Sequence, residues 1–419
     1  MFCIPWRVAR RMKNEASCSL FVCPALLRDV HNKSRAYLRC CTTRLGDSKN
    51  KATMTSSKED GTAAAAEQLG SMSLGKSVER KDNEIEPTTK NGTPTKSCSW
   101  CGKKSDTLKK CNGCKCVWYC DVDCRDRHRK KHKKECRPIK QILDQRGGKL
   151  DLGKELDIGP IGKLPQREEC PICMRVLPIH ARLQRYFPCC GKMICCGCDL
   201  QHRMKNEKRA AERGQTPVPQ TTPHTCAFCR TAVPLSKEKA LAQLCKRAEL
   251  KDSVALHNMA MEYGFGGHLG LPADQAKCIE LLRESAGLGF TVSQYQLGSF
   301  HCTGRLGLEH NEEEAAKYWE EAAEGGHIVA RHNLGCKEHD ENGDFVAAMR
   351  HWRLSAAGGY RNSMHSLIAC FEEGSLYHGD LAETVQAFYI ARAEMTSEDR
   401  DVHVKLLKLR GEYQEEYES

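Results

Sequence analysis

Residues 98–136 of the chain read CSWCGKKSDTLKKCNGCKCVWYCDVDCRDRHRKKHKKEC. Seven cysteines and one histidine in this stretch fall into four pairs, with two or three residues between the members of each pair: Cys98/Cys101, Cys111/Cys114, Cys120/Cys124 and His132/Cys136. Such a spacing lets a single backbone turn present two ligand atoms to one tetrahedral ion. Eight ligands complete two four-ligand sites, so this stretch predicts a small fold built around two metal ions.

A second cysteine-rich stretch lies between residues 170 and 229. It contains three Cys-x2-Cys pairs and one pair of adjacent cysteines: Cys170/Cys173, Cys195/Cys198, Cys226/Cys229 and Cys189/Cys190. The two stretches hold 17 of the 27 cysteines, and nothing else in the sequence indicates the oxidising compartment that a disulfide framework needs. We therefore predict zinc, with two ions in the first stretch and one or two in the second.

The adjacent pair leaves two alternatives open. Neighbouring side chains point in different directions, so binding of one ion by both Cys189 and Cys190 requires an unusual turn, which Gly191 would permit. Alternatively, Cys190 is a ligand, and Cys189, His180 or His224 completes the set. A site closed by four protein ligands has no open position for a substrate, which predicts structural zinc and no catalytic residue.

The first stretch resembles the MYND-type zinc finger, including the run Val117-Trp118-Tyr119-Cys120 before the third pair. The resemblance implies a crossed pairing, with one zinc on Cys98, Cys101, Cys120 and Cys124 and the other on Cys111, Cys114, His132 and Cys136. It also implies a surface for proline-rich peptides, although Arg125 and Arg129 stand where the family usually has Gln and Trp.

Local patterns add expectations for the first stretch. The pairs separated by three residues predict short helices, and a further short helix is expected at residues 139–145. Cys116 is expected to be an exposed non-ligand, and His128 a surface or packing residue. Residues 98–140 contain 14 Lys and Arg against 5 Asp and Glu, which predicts a basic helix at residues 125–134 that contacts nucleic acid or serves as a solvated face.

The second stretch resembles a RING-type finger. The resemblance implies that Cys170, Cys173, Cys195 and Cys198 share one zinc and that Cys189, Cys190, Cys226 and Cys229 share the other. It further implies contact with a ubiquitin-conjugating enzyme through Ile172 and Arg230, although Ala227 replaces the proline common in the last knuckle. Cys196 is expected not to be a ligand.

Beyond about residue 235 the cysteine pairs stop and a helical period of 33 to 37 residues begins. Ala286-Gly-Leu-Gly289 aligns with Ala323-Glu-Gly-Gly326 and Ala356-Ala-Gly-Gly359, and each unit predicts a pair of helices. The first helix of a unit is expected to end near a glycine, such as Gly264 or Gly304. His257, His332 and His365 share one repeat position and are expected to pack or cap.

This pattern resembles the SEL-like repeat, a relative of the tetratricopeptide repeat, over residues 252–395. The unit that begins at Ser363 lacks the Ala-Gly-Gly ending and is expected to cap the array. Cysteines scattered along the helical part of the sequence, away from any Cys-x2-Cys motif, are expected to be small core residues, namely Cys245, Cys278, Cys302, Cys336 and Cys370.

The predicted fold class is a multidomain chain with two small zinc-stabilised fingers, MYND-like and RING-like of treble-clef type, followed by an all-α solenoid of SEL-like repeats. The sequence contains no apolar run long enough for a transmembrane helix. The predicted divisions are a disordered basic region at 1–97, the first finger at 98–136, a linker at 137–169, the second finger at 170–230, a helical linker at 231–251, the repeats at 252–395 and a C-terminal helix or tail at 396–419.

These features predict a zinc-binding protein-interaction adaptor whose solenoid and first finger hold protein partners. A RING-type ubiquitin ligase with the solenoid as substrate receptor is the alternative, so enzymatic activity stays open. A nuclear regulator associated with nucleic acid is the second alternative, tested by salt-dependent binding. Zinc fingers argue against secretion, and the expected location is intracellular, in the cytoplasm or the nucleus, without membrane association.

Overall fold

The first cysteine stretch folds as a two-stranded antiparallel sheet and one long helix in the computed structural model, which describes residues 97–164, 166–212, 224–267 and 269–413. Strand β1 is Lys109–Lys110, β2 is Trp118–Tyr119, and helix α1 is Val122–Gln145. The predictions for the N-terminal region before residue 97 lie outside the described residues.

Helix α1 corrects the prediction of several short helices. The Asp121 side chain caps its N-terminus by accepting a hydrogen bond from the Cys124 backbone N–H at 2.7 Å. The helix then continues without a break through Pro138 for 24 residues. A proline in a helix interior costs about 3 kcal/mol, and the burial of Ile139 and Leu143 on the following turns offsets this cost.

The second stretch forms a hairpin followed by a helix. A 3₁₀ turn at Ala181–Leu183 leads into β3, Gln184–Phe187, which pairs antiparallel with β4, Lys192–Cys195. Helix α2, Cys196–Glu212, follows β4 directly. The adjacent cysteines lie in the turn between the two strands, where the register opposes Phe187 to Lys192.

Ten further α-helices, with a π-helical segment at Glu338–Asn342 directly after the sixth of them, complete the described chain. They are α3 Lys237–Glu249, α4 Ser253–Phe265, α5 Gln275–Gly287, α6 Thr291–Thr303, α7 Glu312–Glu324, α8 Ile328–Lys337, α9 Phe345–Ala357, α10 Arg361–Glu373, α11 His378–Glu394 and α12 Glu398–Leu409. Helices α4 to α11 pack as four successive pairs, and each pair also contacts the next. This arrangement confirms the predicted fold class of a finger region followed by helical repeats.

Close approach of the two helices within a repeat depends on glycine at one position. A Cβ added to Gly298 on α6 would lie 2.6 Å from Trp319 Cδ1 on α7. The same atom added to Gly335 on α8 would lie 2.6 Å from Trp352 Cδ1 on α9. The first helices of two repeats end at Gly266 and Gly304 in the left-handed conformation, so Gly266 and not Gly264 is the cap of α4.

Neighbouring repeats are joined by buried polar contacts at the shared histidine position. His257 Nδ1 lies 2.9 Å from Ser293 Oγ, and His332 Nδ1 lies 2.8 Å from Ser363 Oγ. These two histidines therefore pack as predicted, whereas His365 is exposed. Burial lowers the pKa of His257 and of His332 to about 4, so both are neutral at pH 7.

The buried histidines predict a pH dependence of repeat stability. An unfolded histidine has a pKa of about 6.5, so its folded pKa is depressed, and stability is lost as the pH falls from about 6.5 towards 4. Between pH 7 and pH 5, the free energy of unfolding should fall by about 2 kcal/mol less in His257→Asn than in the unmodified chain. Denaturant unfolding at both pH values measures this difference. The control is His310→Asn, which replaces an exposed histidine and should leave the fall in unfolding free energy unchanged. Equal falls in His257→Asn and in the unmodified chain would contradict a buried, neutral His257.

The predicted linker packs along the repeats. The described residues of 150–167 form no helix or strand, yet Ile158 is 2% exposed within the same core as Trp352. Leu156 N–H donates to the Ser375 carbonyl at 2.9 Å, and Arg167 Nη1 donates to the Gly358 carbonyl at 3.0 Å. This segment therefore covers part of the surface of α9–α11.

Among the described helices, none is both long enough and apolar enough to cross a membrane.

Candidate metal centres

The sixteen predicted ligands come together as four groups of four. Within each group the ligand atoms all lie within 4.8 Å of one another. The groups are Cys98, Cys101, Cys120 and Cys124; Cys111, Cys114, His132 and Cys136; Cys170, Cys173, Cys195 and Cys198; and Cys189, Cys190, Cys226 and Cys229. Each finger thus has the crossed arrangement in which alternate pairs meet.

Sulfur–sulfur distances in the groups fit zinc and not disulfides. A tetrahedral ion with Zn–S bonds of about 2.3 Å separates its sulfur ligands by about 3.8 Å, whereas a disulfide joins them at about 2.05 Å. Cys101 Sγ lies 3.7 Å from Cys120 Sγ, and Cys111 Sγ lies 3.8 Å from Cys136 Sγ. Thiolate and imidazole donors at these separations are compatible with zinc binding.

A common backbone turn prepares four of the five Cys-x2-Cys pairs, whereas Cys195/Cys198 lies at the junction of β4 and α2. The residue after the second cysteine has a positive φ in four cases: Gly102, Lys115, Met174 and Arg230. In each case its backbone N–H donates to the carbonyl of the first cysteine, for example from Arg230 to Cys226 at 3.0 Å. The turn directs both sulfurs to one side, so the local sequence sets half of each ligand group.

The adjacent cysteines join their group through a tight turn. The backbone N–H groups of Cys190 and Gly191 both donate to the Phe187 carbonyl, at 3.2 and 2.9 Å, and Gly191 has φ +67°. Cys190 Sγ then lies 3.8 Å from Cys226 Sγ, and Cys189 Sγ lies 3.4 Å from Cys229 Sγ. The turn therefore brings both sulfurs to the ligand pair on the last knuckle.

The other candidates at this position have different contacts. His180 caps the 3₁₀ turn, where its Nδ1 accepts from the Arg182 backbone N–H at 3.2 Å. His224 Nε2 lies 3.3 Å from Arg185 Nη2. Cys196 Sγ donates to the Arg182 carbonyl at 3.4 Å, and burial raises its pKa to about 12, so it remains a thiol outside the ligand groups.

Cys116 is a correction to the sequence analysis, because it is fully buried and not exposed. Its Sγ lies 3.2 Å from the Cys114 carbonyl and 3.5 Å from His378 Nε2 on α11. The side-chain amide of Gln386, also on α11, donates to the Cys116 carbonyl at 3.2 Å. The sequence of the finger alone suggests an exposed thiol; docking of the repeat region on this loop buries it.

His128 packs in the same interface. Its ring contacts Tyr119 and Tyr389, with centroids 5.8 and 4.5 Å away. Burial lowers its pKa to about 4, so the ring is neutral at pH 7. His128 lies outside the four ligand groups, and its role is packing between the finger and the repeats.

The cysteines on the helices that follow the second finger behave as small core residues. Cys278, Cys302 and Cys370 are buried, while Cys245 and Cys336 are partly buried. Burial raises the pKa of Cys278 and of Cys370 to about 12, which keeps these thiols protonated and poorly nucleophilic at pH 7.

Two outer surfaces of the fingers carry chemistry that could serve binding. On the second finger, Ile172 is 41% exposed. Met174, which follows the first Cys-x2-Cys pair, is 67% exposed, and Phe228, which lies within the last pair, is 44% exposed. Arg230 is exposed, with Nη1 2.8 Å from His202 Nδ1. On the first finger, α1 presents exposed basic residues along its outer side: Arg125, Arg127, Arg129, Lys130, Lys131, Lys133, Lys134, Arg137 and Lys140.

Family profiles match two parts of the chain. The profile described as MYND finger matches residues 98–136, and the profile described as Sel1 repeat matches residues 253–290 and 291–327. These matches agree with the resemblances drawn from the first cysteine stretch and from the helical period.

Solved structures similar to the chain are also repeat proteins. A Sel1 repeat protein from Oxalobacter formigenes is 28% identical, with 31% of this chain and 97% of that chain covered and a TM-score of 0.28. The protective antigen c5321 of uropathogenic Escherichia coli, described as having an SLR fold, is 25% identical, with 41% of this chain and 36% of that chain covered and a TM-score of 0.31. The repeat assignment rests on the profile match and the helix pairs.

Proposed function

Given that residues 98–136 form a MYND finger and residues 253–327 form Sel1 repeats, we propose that the protein is a zinc-binding adaptor that joins protein partners. The observation that carries this proposal is the closure of the ligand groups. Four ligand atoms surround the centre of each group, which leaves no coordination position for a substrate. Zinc in such sites stabilises a fold, and the binding surfaces must lie elsewhere.

The proposed metal content is four structural zinc ions, two in each finger. The ligands are the sixteen residues of the four groups, including both Cys189 and Cys190. The RING-like crossed arrangement of the second finger supports this count, because each of its two groups takes one pair from each half of the stretch. The proposed location is intracellular, in the cytoplasm or the nucleus, where thiolates stay reduced.

Partner binding by the repeats is proposed for the outer surface of α5 and α7. The segment 150–167 lies against α9–α11, with Arg350 Nε donating to the Ile158 carbonyl at 3.2 Å. The earlier helices present exposed charged residues, among them Arg283 on α5 and Glu320 on α7. A polar surface on a rigid stack of helices suits a protein partner of matching charge pattern.

The adaptor proposal is tested by separating the two binding surfaces. The full chain, a repeat variant Arg283→Glu/Glu320→Arg and a first-finger variant Arg125→Glu/Arg129→Glu are used to isolate complexes from cells. We expect each variant to lose a different partner and the unmodified chain to hold both partners in one complex, seen by sequential purification. Loss of no partner, or of the same partners from both variants, would argue against an adaptor with two surfaces.

The exposed side chains of the second finger support a second candidate, a RING-type ubiquitin ligase that orients a ubiquitin-conjugating enzyme. In this role Ile172 would contact the conjugating enzyme, with the exposed Met174 and Phe228 extending the apolar surface. Arg230 would hold the thioester-linked ubiquitin, and the repeats would receive the substrate. The finger would contribute no nucleophile and would act by orientation.

The ligase candidate predicts loss of ubiquitin chains in Ile172→Ala. Purified protein with ubiquitin, activating enzyme and a panel of conjugating enzymes should form chains, and the variant should reduce their rate by about tenfold or more, since an exposed apolar anchor carries much of such an interface. Leu235→Ala is the matched control, because Leu235 is also apolar and 62% exposed but lies after the last knuckle. Chains at the unmodified rate in Ile172→Ala, or no chains with any conjugating enzyme, would exclude this candidate.

Arg230 allows a second ligase variant that spares the finger. Its φ of +66° is a conformation that glycine adopts freely, so Arg230→Gly removes the guanidinium while relieving the backbone. A ligase should lose activity in this variant and keep its zinc.

The outer side of α1 supports a third candidate, binding to nucleic acid as a nuclear regulator. Its exposed lysines and arginines would contact phosphates, which gives affinity without sequence preference. Binding to random oligonucleotides that weakens steeply with salt would support this candidate, and undetectable binding at 50 mM salt would exclude it.

A further inference from the structure

The predicted zinc-ligand histidine of the first finger, His132, is hydrogen-bonded by a side chain of the repeat region. His132 Nε2 lies 3.4 Å from Cys114 Sγ, which makes Nε2 the atom that faces the ion. The other ring nitrogen, Nδ1, lies 3.2 Å from the hydroxyl of Tyr389 on α11. Tyr389 follows His132 by 257 residues along the chain, so the repeats complete the surroundings of a site in the finger.

The direction of the hydrogen bonds follows from the role of Nε2. A neutral imidazole that offers Nε2 to a metal carries its proton on Nδ1, so Nδ1–H donates to the Tyr389 oxygen. The Tyr389 hydroxyl in turn donates to the carboxylate of Glu135, and Arg361 on α10 donates to the other oxygen of that carboxylate. Glu135 is 1% exposed and Tyr389 is 7% exposed, so this chain of hydrogen bonds is shielded from water.

The second finger has an equivalent contact from α12. Arg400 is 6% exposed, and its Nη2 lies 3.4 Å from Cys173 Sγ. Its Nη1 donates to the carbonyls of Val176 and Met395, both at 2.6 Å, which fixes the guanidinium beside the ligand group. Four thiolates around one Zn²⁺ leave a net charge of −2, so a fixed cation at this distance stabilises the loaded site.

We propose that helices α11 and α12 supply side chains that support zinc ligands of the two fingers. Tyr389 positions His132 in the first finger, and Arg400 supports Cys173 in the second. This inference rests on the proposed zinc binding by the two fingers. Outer partners fix the orientation of a ligand and raise its affinity for the metal, and their loss typically costs about 10- to 100-fold in affinity. The end of the repeat array and the zinc content of the fingers are therefore coupled: loss of one weakens the other.

The test is a chelator competition on the full chain loaded with zinc. Tyr389→Phe keeps the ring in the core and removes only the hydroxyl, so we expect one of the four ions to be lost at about 10-fold lower chelator concentration. Arg400→Met should have the same effect on one ion of the second finger. With cobalt in place of zinc, Tyr389→Phe should also shift the visible absorption of the Cys3His site, because the imidazole is no longer held.

Val385→Ala is the matched control for loss of packing. Val385 lies one turn before Tyr389 on α11 and is fully buried in the same core, but its side chain has no polar atom. This variant should unfold more easily and yet release zinc within twofold of the unmodified chain. Zinc release by Tyr389→Phe at the unmodified chelator concentration, or equal weakening in Val385→Ala, would overturn the proposal; fewer than four ions in the unmodified chain would instead count against the proposed metal content.

Discussion

The variant His132→Ala is expected to release one zinc ion per chain and to unfold the first finger. His132 Nε2 completes the group of Cys111, Cys114 and Cys136, and its Nδ1 contacts the Tyr389 hydroxyl at 3.2 Å. Structural zinc provides about 10–16 kcal/mol of apparent binding free energy in small fingers, and a site with three ligands retains only part of it. Elemental analysis after gel filtration gives the zinc count, and amide hydrogen exchange follows residues 98–145 and α11.

The control for this variant lies one turn earlier on the same helix. His128 is also a buried histidine of α1 that contacts Tyr389, but it lies outside the ligand groups. His128→Ala should cost about 2–4 kcal/mol through the cavity it leaves and should retain all zinc. If both variants kept the same number of ions, His132 would not be a ligand.

The variant Arg353→Met is expected to release the segment 150–167 from the repeats. Arg353 is 1% exposed on α9. It donates to the Gly159 carbonyl, pairs with Glu383 and, at 3.1 Å, with Asp380, and bonds Thr384 Oγ1 at 3.2 Å. Breaking a buried ion pair by removing one partner costs about 3–5 kcal/mol, and the lower end applies here because Glu383 is more than half exposed.

Denaturant unfolding measures this cost, and limited proteolysis within residues 150–167 reports release of the segment. Arg350→Met is the matched control, since Arg350 lies one turn earlier on α9 and also donates to a carbonyl of the segment, but it is exposed. Its replacement should cost about 1 kcal/mol. Cleavage of the segment at the unmodified rate in Arg353→Met would show that other contacts hold it.

The parts of the structure that could be predicted from sequence are those set by short-range patterns. The turn after four of the Cys-x2-Cys pairs depends on five consecutive residues, so spacing alone identifies ligands such as Cys98 and Cys101. The repeat period places Gly298 and Gly335 at the same position of successive units. In the structure, each of these glycines faces the tryptophan of its own helix pair.

The parts that could not be predicted depend on contacts between distant segments. Cys116 is buried by α11, more than 260 residues away, and no feature of the neighbouring sequence predicts that contact. The same holds for Tyr389 behind His132 and for Arg400 beside Cys173. The linker contains glycines and charged residues that are typical of an exposed spacer, and its packing depends on Arg353, a residue type that is usually exposed.

The sequence around Cys189 and Cys190 allows two ligand sets for one ion: both cysteines together, or Cys190 with Cys189, His180 or His224 completing the set. Adjacent side chains diverge, but a turn closed by two hydrogen bonds to the Phe187 carbonyl brings both sulfurs to the last knuckle. His180 and His224 bond other groups instead. The geometry therefore favours the pair of cysteines and a second complete site in this finger.

The zinc content of the full chain decides whether all four ligand groups bind a metal ion. Native mass spectrometry of protein purified under reducing conditions with excess zinc, and then desalted, counts the bound ions. We expect four ions in the unmodified chain and three in Cys190→Ser, with Cys196→Ser retaining four because Cys196 lies outside the ligand groups. Three ions in the unmodified chain, or no loss in Cys190→Ser, would contradict this expectation.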